Sequence, residues 1–331
     1  MTAPWIRTQL RALLAQRGHA WLLHGPSGLG QYTLALELAR AWLCDQPTPA
    51  GACGRCDSCH QVQVRSHTDL AVLMPETEMM ARGWPLAEKA QADIDDKKRK
   101  PSREIRVEAM RDAIEFAQRT SGRGRGKVVL VYPADRMNAV TANALLKTLE
   151  EPPGDVRFVL ATEAAHLLLP TIRSRCLGHA MAWPAPPEAT AWLQEEGVAA
   201  AAAPVLLRAA GGRPEDALRL HQGGLDARSW SQWPKALARG EAGSLADWGP
   251  ADLVEALQKL CHDLLALRCG AAPRFFEPAD LPPPASEQAL TGWWRSLAAT
   301  SRTVDHPFNA GLMLEDLVTQ ARAALHSRSP S

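Results

Sequence analysis

No stretch of this chain approaches the roughly 18 consecutive apolar residues of a membrane-spanning helix, so no membrane partner is expected. Neither sign of charge prevails. With 37 Lys and Arg against 36 Asp and Glu, the formal net charge is +1. No global field therefore argues for nucleic acid, and any such contact must be local. A signal-peptide layout is missing as well. Ile6, Leu10, Leu13 and Leu14 follow amphipathic-helix spacing instead, with Arg7, Arg11 and Arg17 interleaved. These absences lead to the expectation of a soluble, cytoplasmic protein. A disulfide framework is disfavoured too, because four of the seven cysteines crowd into one short window. That arrangement suits a metal site in a reducing compartment. What the chain does have is 331 residues, 46% of them hydrophobic, enough for two or three domains with real cores.

Strand and helix signals alternate over the first 180 or so residues. Ala20 to His24 is a short apolar run ending at Gly25, and residues 128–131 and 157–161 give two more. Between them lie helical stripes: Leu34, Leu38, Ala41 and Trp42; Val107, Met110, Ile114 and Ala117; Ala142, Leu145, Leu146 and Leu149. The last of these is stopped by Glu150-Glu-Pro-Pro153. Such alternation predicts an α/β layer with a mostly parallel sheet. Beyond Trp183-Pro184 the strand signals vanish, and Ala- and Leu-rich helical patterns take over. Leu253, Leu257, Leu260, Leu264 and Leu267 form a seam that reads as a buried helix face or as a partner contact. Leu281-Pro-Pro-Pro284 reads as loop, and Leu314, Leu317, Val318, Ala321 and Leu325 predict a closing helix. Residues 74–100, polar and ending in Asp95-Asp-Lys-Lys-Arg-Lys100, read as a solvated insertion, with a DNA-contacting patch as the alternative.

Residues 25–33, Gly-Pro-Ser-Gly-Leu-Gly-Gln-Tyr-Thr, keep the shape of a phosphate-binding loop without its working side chains. In G-x-x-x-x-G-K-[ST] the glycines let backbone N–H groups cradle phosphate, Lys reaches the terminal phosphates and the hydroxyl holds Mg²⁺. Gly25, Gly28 and Gly30 are present, but Gln31 stands in place of the Lys and Tyr32 in place of the hydroxyl. Thr33 lies one residue further along the helix and points about 100° away. An active ATPase also ends a hydrophobic strand in acids that hold Mg²⁺ and orient water. After 128–131 those positions are Tyr132 and Pro133, and Asp135 is the first acid. Phosphoryl transfer is mostly positioning and charge neutralisation, so four such losses imply no ATP hydrolysis.

Cys44, Cys53, Cys56 and Cys59 are spaced C-x8-C-x2-C-x2-C. Tetrahedral Zn²⁺ takes four soft ligands, and C-x2-C places two sulfurs at bite distance, so a structural Zn²⁺ is expected. An iron–sulfur cluster and free thiols are the alternatives. The ferredoxin-type run calls for a fourth Cys three residues on, where this chain has His60-Gln-Val-Gln63. His60 and His67 are candidate substitute ligands, and Cys261 and Cys269 are expected in helix cores. In Pro170-Thr-Ile-Arg-Ser-Arg-Cys176, Arg173 and Arg175 read either as surface arginines or as an arginine finger for another subunit's nucleotide.

His24-Gly-Pro-Ser-Gly-Leu-Gly30, the four-cysteine module, Asn143-Ala-Leu-Leu-Lys-Thr-Leu-Glu-Glu-Pro-Pro153 and Ser174-Arg-Cys176 together resemble the clamp-loader branch of the AAA+ family in bacterial DNA polymerase III. A weaker match at Asp305-His-Pro-Phe-Asn309 extends the resemblance over essentially the whole chain. It implies an AAA+ core at 1–183 with a zinc module at 44–59, a helical lid at 184–225, and an all-α collar at 226–331 that holds a hetero-oligomer. The departures at Gln31, Tyr32, Tyr132 and Pro133 select a non-hydrolysing member over a motor subunit. Thr162 matches the first sensor position, and Glu215 beside Arg213 falls where active members carry a sensing Arg. By the same resemblance Arg175 is the in-trans finger. The implied partners are gamma/tau-type ATPase subunits, a delta subunit and, through the complex, the sliding clamp and primed DNA. The implied role is that of a stator in clamp loading during DNA replication, within a polymerase holoenzyme and with no ATPase of its own. Two alternatives remain. One is an ATP-binding motor subunit using Lys147 or Arg136 as surrogate cation. The other is a zinc-containing DNA-binding adaptor acting through residues 97–100 and Arg123-Gly-Arg125.

Overall fold

The computed structural model describes residues 2–241, 248–304 and 310–327. Residues 305–309, the weaker match noted above, lie outside the described residues. The chain divides into two compact units, 1–184 and 185–331.

In the first unit, α1 (Pro4–Leu14) leads to β1 (Ala20–His24), and α2 (Gln31–Leu43) follows the glycine loop. After α3 (Asp57–Gln63) come β2 (Leu70–Leu73), α4 (Glu76–Ala81), α5 (Glu88–Asp95) and α6 (Val107–Gln118). The unit continues with β3 (Lys127–Val131), α7 (Ala139–Glu150), β4 (Val156–Thr162), α8 (Pro170–Arg173) and β5 (Leu177–Ala180). The strands form one sheet in the order β2-β3-β4-β1-β5, and every pairing is parallel. Parallel sheets are covered on both faces, and β3 and nearly all of β4 are buried accordingly. His24 pairs with Thr162, and Val131 with Leu160. The carboxyl ends of β1, β3 and β4 therefore share one edge, where α/β sheets place ligands.

Lys127 is charged yet buried within β3. Its ammonium reaches Asp69 at 3.3 Å and lies 3.9 Å from the centre of the Phe116 ring. Asp69, itself buried, also accepts from the N–H groups of Gly122 (2.8 Å) and Arg123 (2.9 Å) and from the Ser121 hydroxyl (2.9 Å). One carboxylate thus ties the glycine-rich turn before β3 to the start of β2. The segment 74–100 is more structured than a solvated insertion. Glu76 receives both terminal nitrogens of Arg99 (2.5 and 2.8 Å), the Ser102 N–H (2.8 Å) and the Arg106 Nε (3.3 Å), closing the excursion at its base.

Among its described residues the second unit has helices and no strand: α9 (Pro186–Glu195), α10 (Ala203–Ala209), α11 (Pro214–Gln222), α12 (Ala227–Ala238), α13 (Pro250–Arg268), α14 (Glu287–Ser301) and α15 (Ala310–His326). The expected fold class therefore holds: a P-loop-type α/β core and an all-α carboxyl-terminal half. Leu253, Leu257, Leu260 and Leu264 of the seam are buried, and Leu267 is partly so. Trp230 stacks on Phe276 with centroids 4.7 Å apart, and Trp233 meets the same ring edge-on. Cys261 is in the core as expected, but Cys269 is exposed. It caps α13 one residue past the helix, where the apolar stripe has ended.

Candidate functional site

The glycine loop has the backbone of a phosphate cradle. Gly28 and Gly30 take left-handed φ values of 73° and 93°, and Gly30 is the N-cap of α2. A β-carbon on Gly25 would come within 2.9 Å of the Met181 side chain. The cradle is occupied from inside. The Gln31 amide, 2% exposed, donates to the loop carbonyls of Gly25 (2.9 Å) and Pro26 (2.6 Å). Both of its N–H groups are spent there, and it carries no charge for a terminal phosphate.

Tyr32 and Tyr132 are the only tyrosines in the sequence, and they meet. Their ring centroids are 5.3 Å apart. The Arg82 guanidinium lies 4.3 Å from the Tyr32 ring centre and 4.9 Å from that of Tyr132, and its Nε donates to Glu78 at 3.1 Å. The Trp84 indole N–H donates to the Tyr32 hydroxyl at 2.7 Å. The Tyr132 hydroxyl donates to Glu163 at 3.3 Å and accepts from Arg82 at 3.4 Å. Burial pushes the Tyr32 phenol up, despite the Trp84 hydrogen bond and the nearby Arg82 and Arg65 charges. Mg²⁺ needs near-octahedral oxygen ligands and phosphates. Two phenol rings clamped by a guanidinium do not fit a nucleotide–Mg²⁺ complex. Thr162, at the sensor position, is also committed. Its hydroxyl donates to Asp135 at 2.5 Å and accepts from the Ala164 N–H at 3.0 Å.

Arg82 and Trp84 were not legible as site residues. The available signal was a lone Trp in a polar stretch, far along the chain from the degenerate loop. Glu150 was read as part of a helix stop and of the Asn143–Pro153 run but not as a site residue, although it holds Arg175. The Nε of Arg175 donates to Glu150 Oε1 at 2.6 Å, Nη2 donates to the same oxygen, and Nη1 donates to the Thr171 carbonyl at 2.8 Å. The Arg175 side chain keeps 29% of its surface exposed. Arg173, the other arginine of the triplet, is exposed at the end of α8.

The four thiols converge. Cys44 caps the end of α2, Cys56 caps the start of α3, and Gly54, at φ 78°, turns the chain between Cys53 and Cys56. All four sulfurs lie within 4.8 Å of one another. Individual separations are 3.6 Å (Cys44–Cys59), 3.8 Å (Cys44–Cys56) and 4.0 Å (Cys53–Cys59). A tetrahedron with Zn–S bonds of about 2.3 Å has edges near 3.8 Å, so the cage fits zinc. The thiols are unequal. Burial pushes Cys44 up and Cys59 up to about 12, whereas the backbone N–H of Arg55 draws Cys53 down to about 6. Metal binding requires all four as thiolates. The candidate substitutes stay out of the cage. His60 is exposed, and buried His67 accepts the Asp69 N–H through Nδ1 at 3.0 Å.

Three of the six charges proposed for DNA contact are paired. Arg99 is taken by Glu76, Lys98 by Asp96 (2.9 Å) and Arg123 by Asp45 (3.3 Å). Asp45 in turn accepts from the Ser58 hydroxyl at 2.8 Å, linking the thiol module to the turn before β3. No described helix is long and apolar enough to cross a membrane.

The family model described as DNA polymerase III, delta subunit, matches residues 7–182. The chain is 40% identical over 213 residues to the DNA polymerase III subunit delta' of Pseudomonas aeruginosa, covering 64% of this chain and 58% of that one. It is 33% identical over 279 residues to the subunit delta' of Yersinia pestis, covering 80% and 72%. To the DNA polymerase III subunit tau of Escherichia coli it is 35% identical over 159 residues, 48% of this chain and 21% of that one. The chain thus spans somewhat more than half of its Pseudomonas relative.

Proposed function

Because the chain belongs to the DNA polymerase III delta' subunit family, we propose that it is the non-hydrolysing stator of a clamp loader, helping to load a sliding clamp onto primed DNA during replication. The observation that carries this reading is the contrast between two places. At the cradle, Gln31 is spent on loop carbonyls and tyrosines replace both metal positions. At Arg175, a part-exposed guanidinium is held on the surface by Glu150. The first supports a subunit that does not turn over ATP. The second supports a cation offered to a nucleotide on a neighbouring gamma/tau-type subunit. In this reading residues 1–183, 184–225 and 226–331 serve as AAA+ core, lid and collar. The collar would assemble with the motor subunits and a delta subunit. Zn²⁺ on Cys44, Cys53, Cys56 and Cys59 would be structural, and the setting cytoplasmic.

The test is a reconstituted loader carrying Arg175→Ala. Arginine fingers are worth about 10³–10⁵ in rate at the site they serve. DNA-stimulated ATP hydrolysis should collapse at the motor site facing this subunit, with assembly intact. Unchanged turnover would remove the finger from the account. ATP hydrolysis by the purified lone chain would favour the motor alternative. Steeply salt-dependent DNA binding by the lone chain would favour the adaptor.

A further inference from the structure

We propose that Glu150 is a positioning residue for Arg175: it holds the guanidinium by its side edge so that the terminal edge is presented, already oriented, to an anionic ligand on a neighbouring subunit. The inference rests on the stator reading and adds to it a residue and a geometry. Glu150 is the last residue of α7, and Arg175 lies in the turn after α8. Ile172 fixes the backbone there by accepting the Arg175 N–H at 3.1 Å. A guanidinium has five N–H donors in a rigid planar fork. Two of them, on Nε and Nη2, converge on the single oxygen Oε1 of Glu150, and one on Nη1 goes to the Thr171 carbonyl. That leaves a second N–H on each terminal nitrogen. Beyond the Thr171 carbonyl, Nη1 meets only the Ser174 hydroxyl at 3.5 Å, a contact too long to compete with a phosphate oxygen. The fork is therefore anchored on one side and open at its end.

The energetics favour orientation over stability as the purpose. Glu150 is 47% exposed and Arg175 29%, and an ion pair so placed adds little to folding. Fixing a long side chain before docking is a different gain. A finger that must find its rotamer after the subunits meet loses rate through misplacement, and a displacement of about 1 Å can cost roughly 10²-fold. The anchor also explains why a helix-ending glutamate, followed at once by Glu151-Pro152-Pro153, sits where it does. The proline stop ends α7 and leaves Oε1 of Glu150 beneath the arginine.

The experiment uses the reconstituted loader with Glu150→Ala, Glu150→Gln, Glu151→Gln and Arg175→Ala. Steady-state ATP hydrolysis is measured with clamp and primed DNA, and co-assembly is checked by gel filtration. Glu150→Ala should lower kcat by about tenfold with KM for ATP changed less than about twofold. Glu150→Gln keeps an oxygen that can accept both N–H groups and should recover most of the loss. The neighbouring Glu151→Gln should match the unmodified loader. An unchanged or raised kcat in Glu150→Ala would overturn the proposal, as would a Gln variant no better than Ala. If Arg175→Ala itself leaves hydrolysis unchanged, the stator reading fails. If Arg175→Ala is slow and Glu150→Ala is not, only the positioning role fails.

Discussion

Replacing Arg82 with alanine removes a guanidinium that faces both tyrosine rings at once. It lies 4.3 Å from the centre of Tyr32 and 4.9 Å from that of Tyr132, with its side chain 33% exposed. At this partial burial each cation–π contact is worth about 0.5–1 kcal/mol. The ion pair with Glu78, about a third exposed at both ends, adds at most about 0.5 kcal/mol. The long contact to the Tyr132 hydroxyl is counted as nothing. The sum is a loss of about 1–2.5 kcal/mol for the first unit, or a fall in Tm of about 2–10 °C. The assay is urea unfolding of the full chain, followed through a double-mutant cycle with Tyr132→Leu. The two changes should couple by about 0.5–1 kcal/mol, because each removes the same contact. A coupling below about 0.3 kcal/mol would show Arg82 to be a solvated charge, with the tyrosine pair held by other contacts. Arg82→Ala is not expected to restore ATP binding, since Gln31 still occupies the loop carbonyls.

Removing the metal should act on the same unit more severely. Structural zinc contributes on the order of 10 kcal/mol to small modules, so chelation, or Cys59→Ser at the buried corner of the cage, should unfold residues 44–59. Elemental analysis is expected to find one zinc per chain, and iron in its place would refute the assignment. A pH dependence follows from Asp69. Burial alone would raise its carboxyl, but the hydrogen bonds from Gly122, Arg123, Ser121 and Lys127 outweigh it and hold the group below the ordinary range. A lowered folded-state value means stability that is fully present above the unfolded carboxyl pKa of about 3.9 and lost as pH falls through the folded value. Asp69→Asn should therefore flatten the acid limb of the stability curve in urea titrations between pH 5 and 2. At neutral pH it should cost about 3 kcal/mol, because Lys127 is left buried without its partner. An acid limb identical to that of the parent would exclude Asp69 as its source.

Local patterns carried much of the outcome. The five-residue strand before Gly25, the run at 128–131 and the run at 157–161 announce β1, β3 and β4 because buried parallel strands are continuous apolar stretches. Leu70–Leu73 and Leu177–Ala180 were silent. Each has four residues, and Gly178 and His179 are poor strand formers. Their pairing with β3 and β1 makes them strands, and no window of sequence contains the partner. Cysteine spacing pointed to the cage, since ligands in a short loop are close whatever the rest of the chain does. In the polar stretch 74–100 the solvated reading fits α5, which has no buried residue, but composition does not reveal that one arginine and one tryptophan turn inward onto Tyr32.

The sequence by itself determined which chemical groups are absent from the cradle: a lysine, a hydroxyl and two acids are read directly from consecutive letters. Only the tertiary structure decided what stands there instead. Tyr32 and Tyr132 are 100 positions apart and meet because the strand order brings the carboxyl ends of β1 and β3 to one edge, on either side of β4. Glu150 and Arg175, 25 positions apart, meet because α7 ends where the chain turns after α8. Spacing along a chain specifies contacts within a turn or a helix. Contacts between elements depend on topology, which is settled by the packing of the whole sheet.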